Sequence, residues 1–323
     1  MVGLMVRAGG KTLSLLSVPL NVHLLKALEK DSQPLLDLRR AVGFPPQSTM
    51  RVYTRTLSEM GLIDRRRRND FPTSADYQIT ASGQALLRVA APLQEWLGRA
   101  PGGPILIGSA AAKNSIKALA EGWSTNIVRA ISARPIPLTE MNQMIPQVNY
   151  PSLERRLGAM RWAGLVEPRP GDGRGMPYAS TVWLREAVVP LAAAAAWEWK
   201  HLREAAMPIG HLDVEAAFLL AIPLMKLPAD LTGRCRLVVE FENEPTTAMA
   251  GALVCMEEGV VVSCSSRLDG EAEGWVSGSP VAWLRQTSGY AKSQLELGGD
   301  VQLAEAVTDA LHALASHDVH ASS

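Results

Sequence analysis

Cysteine is scarce in this chain: Cys235, Cys255 and Cys264 are the only three, all lie in the last third, and no pair has CxxC spacing. Such usage argues against a disulfide framework and against a cysteine-ligated metal site, and it suits buried, reduced thiols in a cytoplasmic protein. Long apolar runs are also missing. The nearest candidate, AVVPLAAAAAWEWK, falls short of the ~20 residues that span a bilayer and ends in charge, so no membrane association is expected. The opening MVGLMVRAGGKTLSLL lacks the charged, apolar and small-residue order of a signal peptide. Phosphate-loop signatures are absent as well: no GxGxxG or GxxxxGK[ST] occurs, and GRAPGGP and GDGRG lack the strand-then-helix context such loops need. No nucleophile and base, and no acid and base carboxylate pair, stand out. We therefore assign no catalytic residue, no cofactor and no metal ligand, and we expect the chain not to be an enzyme. His211, Asp213 and Glu215 in GHLDVE read as solvated turn residues rather than as ligands.

Net charge is lacking overall, with 32 Lys and Arg against 32 Asp and Glu, but the balance is uneven along the chain. Residues 1–100 hold 14 basic against 8 acidic groups, residues 101–209 hold 12 against 8, and residues 210–323 hold 6 against 16. A basic front of +10 and an acidic back of −10 point to a polyanionic partner for the front alone. The densest cluster is GLIDRRRRND, with four consecutive arginines, Arg65 to Arg68.

What the front does contain is an internal repeat, which decides the fold class. Asn21 matches Asn126, Gly61 matches Gly164, Tyr77 matches Tyr178 and Trp96 matches Trp197. Each copy reads as three short helices, a hairpin and a closing helix. In the first, Val22, Leu25 and Leu28 mark one helical face, PLLDLRRAVG is a second helix closed by Gly43, and a third runs from Pro46 to Met60 with Met50, Tyr53, Leu57 and Met60 at helical spacing. LID and YQIT read as strands, which places the arginines with Pro72 at the hairpin tip. The second copy predicts helices over Thr139–Met144 and Pro151–Trp162, then LVEP, a tip at GDGRG, and YAST.

The order LxxxGLIxR, Pro, YxIT, Gly, carried by Gly61, Leu62, Arg65, Pro72, Tyr77, Thr80 and Gly83, resembles the winged helix-turn-helix of the HxlR family of transcriptional regulators, and more distantly that of the MarR family. The second copy departs from it at TVWLRE. The resemblance implies a third helix that enters the major groove of double-stranded DNA and a wing along phosphates or the minor groove. Gln47, Ser48, Arg51 and Arg55 then become helix contacts, and Arg65, Arg66, Arg67 and Arg68 wing contacts. Their expected counterparts are Asn149, Ser152, Arg155 and Arg156, with Arg174 on the second wing. Glu154 on that face either accepts from a cytosine amino group or, as the favoured reading, repels phosphate, so the second copy is expected to supply architecture more than recognition. Regulators of this kind pair as homodimers. The repeat allows either such a dimer or an intrachain pseudo-dimer.

The acidic back alternates strands (CRLVVEFE, AMAGALVCMEEG, VVVSCSS, GWVSG) with helices (SPVAWLRQTS, DVQLAEAVTDALHALA), an order that resembles the sterol carrier protein-2 fold. That resemblance implies an apolar cavity for a hydrophobic small-molecule effector, with Leu253, Met256, Trp275, Trp283, Leu284 and Tyr290 as lining candidates. The expected architecture is α+β: a winged helix-turn-helix domain over residues 1–100, a linker helix and second winged helix-turn-helix domain over 101–209, and an α+β ligand-binding domain over 210–323. The expected function is a DNA-binding regulator that senses a hydrophobic molecule. The rival is a sequestering protein that keeps the winged helices only as scaffold, a role that does not require the arginine wing.

Overall fold

The computed structural model describes residues 8–67, 75–120, 124–170, 175–202, 208–241, 248–287 and 295–320, with only the backbone of Arg67, Thr287 and residues 315–320. The first unit runs α1 (Gly10–Leu16), α2 (Pro19–Lys30), β1 (Gln33–Pro34), α3 (Leu35–Ala41), α4 (Gln47–Glu59), β2 (Ile63–Arg67), β3 (Ala75–Ile79) and α5 (Ala81–Gly98). The second repeats that order: α6 (Ala110–Ala120), α7 (Ser124–Ala133), β4 (Ile136–Pro137), α8 (Leu138–Met144), α9 (Tyr150–Trp162), β5 (Val166–Pro168) and β6 (Pro177–Ser180). It closes with α10 (Val182–Glu186) and α11 (Val188–His201). The two small sheets share one topology, β1-β3-β2 and β4-β6-β5.

The equivalence extends to single hydrogen bonds. Gly61 and Gly164 leave their helices at φ 69° and 78°, left-handed values at which a side chain is strained. The next amides close the same bond, Leu62 N to Leu57 O and Leu165 N to Met160 O, each 2.9 Å. Thr80 and Thr181 each cap the following helix, with the hydroxyl oxygen accepting from the amides of Gly83 and Leu184 at 3.1 Å. The same two hydroxyls donate back to the turn carbonyls, Gly61 O at 2.7 Å and Gly164 O at 3.0 Å.

One continuous hydrophobic core serves both units, running from Leu13 through Leu86, Trp96, Leu153 and Trp197 to Leu220. At its centre Trp96 and Trp183 stack with ring centroids 4.4 Å apart and planes 6° from parallel. Each indole donates to the other residue's carbonyl at 2.7 Å, so burial leaves neither polar edge unsatisfied.

Helix α1 is anchored from the far side of this core. Glu198 on α11 is buried, and its two oxygens accept from Thr12 N at 2.8 Å, in the first turn of α1, and from Gly9 N at 3.1 Å, just before that helix, amides that have no helical acceptor. Burial raises the Glu198 carboxyl above the usual carboxylate range, while the amides pull it the other way. A folded-state value above the unfolded one means that the group's contribution to stability is complete below the unfolded value of about 4.3 and is lost as pH rises through the folded value. Against Glu198→Gln, which cannot titrate, the wild type should therefore lose relative stability in urea unfolding as pH rises above about 4. A gap that is flat with pH would contradict this assignment.

The third unit begins with α12 (His211–Ala221), where the sequence suggested a solvated turn. The helix forms because both hydrophobic cores take a side of it: Ala216 and Leu220 pack into the first core, Val214 and Phe218 into the second. Its polar residues are engaged too. Gly210 N donates to Asp213 at 3.2 Å, Glu215 pairs with Arg129 of α7, and His211 stacks on Phe241 at 4.1 Å. Arg185 reaches from α10 to carbonyls near the ends of α12 and α7, Leu219 O at 2.9 Å and Ser132 O at 3.3 Å. Beyond α12 lie β7 (Gly233–Phe241), β8 (Ala248–Glu257), β9 (Val260–Ser265), β10 (Gly274–Gly278), α13 (Pro280–Thr287), β11 (Glu296–Gly299) and α14 (Val301–His320). They build a sheet in the order β11-β10-β7-β8-β9. Among the described residues no helix is long and apolar enough to cross a membrane.

Candidate nucleic-acid interface

Helix α4 is pinned by Met50, Thr54 and Leu57, all buried, with the Thr54 hydroxyl donating to Met50 O at 2.8 Å. The opposite face presents Gln47, Ser48, Arg51, Val52, Arg55 and Thr56, all exposed. Val52 is the residue that sequence reasoning missed. It lies off the apolar stripe between the two arginines, where an aliphatic group can meet a thymine methyl. The turn into α4 is held by Arg39, whose Nε donates to Pro45 O at 2.7 Å and whose guanidinium lies 5.6 Å from the centroid of the Phe44 ring. Phe44 itself sits at φ 56°, a left-handed value that is uncommon for a bulky residue.

The wing differs from the expected hairpin tip. Arg65, Arg66 and Arg67 belong to strand β2, opposite Tyr77, Asp76 and Ala75 of β3, so the ribbon continues past LID into the arginine run. Arg68 and Pro72 lie outside the described residues. Because strand side chains alternate, Arg66 shares a side with Asp64, and Arg65 shares the other with Ile63. Arg65 and Arg66 are exposed and, among the described residues, neither is ion-paired, nor is Arg51. Among the described residues Arg55 forms only an exposed 3.6 Å pair with Glu59, an interaction weak enough to yield to phosphate.

The second unit is built alike and equipped differently. Both α4 and α9 have thirteen residues and end at equivalent glycines, so Gln47 corresponds to Tyr150, Arg51 to Glu154, Val52 to Arg155, Arg55 to Gly158 and Glu59 to Trp162. The counterparts expected from sequence are thereby corrected. Asn149 is the helix cap, accepting from Ser152 N at 2.9 Å. Arg156, the equivalent of half-buried Tyr53, turns inward and donates to Lys117 O at 2.6 Å and to the Ser124 hydroxyl at 2.9 Å, which occupies its guanidinium at the end of α6. Arg155 alone of the expected basic pair is exposed on α9. On the wing Arg169 is paired with Glu167 at 2.5 Å, and Arg174 lies outside the described residues. Trp162 is 94% exposed.

Residues 20–101, from α2 to just past α5, match the HxlR-like helix-turn-helix family. This stretch is an HxlR-like helix-turn-helix domain. A crystal structure described as a transcriptional regulator of the MarR family from Enterococcus faecalis V583 is similar at 24% identity and a TM-score of 0.26, over 27% of this chain and 78% of that one. No curated protein matches the chain.

Away from the HxlR-like domain, an apolar cavity of about 120 Å³ lies where α11 meets the third unit. Leu191 and Ala195 of α11, Ala217 and Phe218 of α12, and Trp283 and Leu284 of α13 contribute to its wall. Trp283 is fixed by its indole bond to Val238 O at 2.8 Å and by an edge contact with Phe218 at 5.0 Å. Of the six lining residues expected from sequence, Trp283 and Leu284 are there. Met256 is on the same side of the sheet but is closed inside the core. Leu253 and Trp275 both register with Arg236 and stand on the opposite face. Tyr290 lies outside the described residues. The thiols near this sheet are quiet: burial pushes Cys235 and Cys264 up to about 12, so neither is a thiolate at neutral pH. Among the described residues no cluster of His, Cys, Asp or Glu is arranged to hold a metal ion.

Proposed function

We propose that the protein is a DNA-binding transcriptional regulator whose C-terminal unit senses a small hydrophobic molecule. The observation that carries the DNA-binding half is the basic surface of the HxlR-like domain, with Arg51 on α4 and Arg65 and Arg66 on β2 unpaired among the described residues. Guanidinium groups so placed are suited to phosphate oxygens and to guanine edges. In this reading the second unit is also a winged helix-turn-helix. No chemical step is involved.

The test is fluorescence anisotropy of the protein on a random 40-base-pair duplex and on its own upstream DNA, across a salt series. Binding that weakens linearly in log–log form is expected. No binding to either duplex at low salt would overturn the reading.

The sensing half rests on the junction cavity. A cavity of roughly 150 Å³ lined by apolar side chains accepts benzene, and this half-open apolar pocket is of similar size, which points to an apolar or aromatic effector of that size. Its wall includes α11, the helix that packs on α5 of the HxlR-like domain. A ligand that fits one spacing of those helices better than another would shift the DNA-competent population. Saturating benzene should raise the melting temperature of the wild type by mass action and should not raise that of Ala217→Leu, which fills the space. It should also move the anisotropy midpoint. A melting temperature indifferent to benzene would sink the assignment.

A further inference from the structure

We infer that the two repeat units form an internal pseudo-dimer, so that a single chain, with no second copy, spans two half-sites of one duplex, and that those half-sites are unequal. The inference rests on the DNA-binding reading above and adds to it the stoichiometry and the symmetry of the site.

The observation is a reciprocal contact. Trp96 Nε1 donates to Trp183 O at 2.7 Å, and Trp197 Nε1 donates to Ser82 O at 3.1 Å. Trp197 is the repeat equivalent of Trp96, and Ser82 is the equivalent of Trp183 when the capping threonines Thr80 and Thr181 are superposed. So residue i of the first unit meets residue j of the second, and residue i of the second meets residue j of the first. That is the signature of a twofold, isologous interface, here made inside one chain. The helices α5 and α11 that carry it pack directly on each other. Trp96, Trp183 and Trp197 all lie in the core common to both units, so the surface through which two separate copies would pair is already consumed.

A twofold that exchanges the units also exchanges α4 with α9 and one wing with the other. Duplex DNA has a matching twofold across its axis, and paired recognition helices read half-sites about one helical turn, or a multiple of it, apart. The two helix faces carry different groups at equivalent positions: Arg51 against Glu154, Arg55 against Gly158, Gln47 against Tyr150. The wings differ as well, since Arg65 and Arg66 are unpaired among the described residues where Arg169 is paired with a carboxylate, Glu167. Different side chains at equivalent places read different bases, so the preferred site is not a palindrome. The HxlR-like half supplies most of the phosphate contacts.

The experiment is selection from a random duplex pool, followed by light scattering of the free chain and of its complex with the winning duplex. The expected results are a free mass near 34.8 kDa, one chain per duplex, and a motif without inverted symmetry. Arg155→Ala should cost less affinity on that duplex than Arg51→Ala. Twice the mass in the free state, two chains per duplex, or an enriched palindrome would overturn the inference. Failure to enrich any sequence, with a monomeric free mass, would overturn it through the loss of DNA binding rather than of the internal pairing.

Discussion

Changing Arg51, Arg65 and Arg66 together to alanine will flatten the slope of log affinity against log salt by up to about 2.7, at ~0.9 for each phosphate no longer neutralised, and will weaken DNA binding at low salt by roughly 10- to 100-fold. All three side chains are exposed and, among the described residues, unpaired. Their removal should change folding stability by no more than about 0.5 kcal/mol each, so the effect reads as binding and not as unfolding. The pattern of the result separates the roles. A weaker complex with an unchanged slope would assign the arginines to base edges rather than to phosphates. An unchanged affinity and slope would remove this face from the DNA altogether. Glu59→Gln supplies the opposite sign: releasing Arg55 from its exposed pair and deleting a carboxylate from the same face should tighten binding modestly.

Trp96→Ala will destabilise the protein by about 4 kcal/mol, within the range found when a buried tryptophan is deleted from a core. The substitution removes a fully buried ring, its stack on Trp183 and the donor to Trp183 O, and it leaves the Trp183 indole facing a void. Trp96→Phe keeps a ring for the stack but not the donor, and should cost less. The matched control is Trp199→Ala, since Trp199 is partly exposed on α11 and lies outside both cores. Urea unfolding at neutral pH measures all three. Equal losses at Trp96 and Trp199 would mean that the stack does not hold the two units together.

Much of the front was legible in the sequence because the repeat preserves residues whose conformations are demanding. Gly61 and Gly164 mark left-handed helix exits, Thr80 and Thr181 mark caps, and Tyr77 and Tyr178 mark the central strand of each small sheet. The side-chain assignments were less legible, for three physical reasons. Arginine has no strong preference between strand and turn, so the length of β2 could not be read from the arginine run. Asn149 resembles a recognition residue in composition, but its place just before α9 makes it a cap, and this displaces the expected counterparts. Helix α12 lacks an amphipathic pattern because cores lie on both sides of it, and its polar residues find partners in other elements. Part of the cavity wall was misassigned for a related reason. Strand β8 is apolar on both faces, so alternation alone could not say whether Leu253 looks toward α13 or away from it.

The common core of the two repeat units makes their association part of folding. Two separate subunits come apart on dilution, and the fraction paired then depends on how many copies a cell holds. With the internal pairing inferred above, that equilibrium would have no bimolecular step. Pairing would persist at any concentration at which the chain is folded, and DNA occupancy would rise with the first power of chain concentration rather than with its square. A few molecules per cell would then act with the same geometry as many, and a substitution in one unit would alter one half of the assembly while leaving the other as it was.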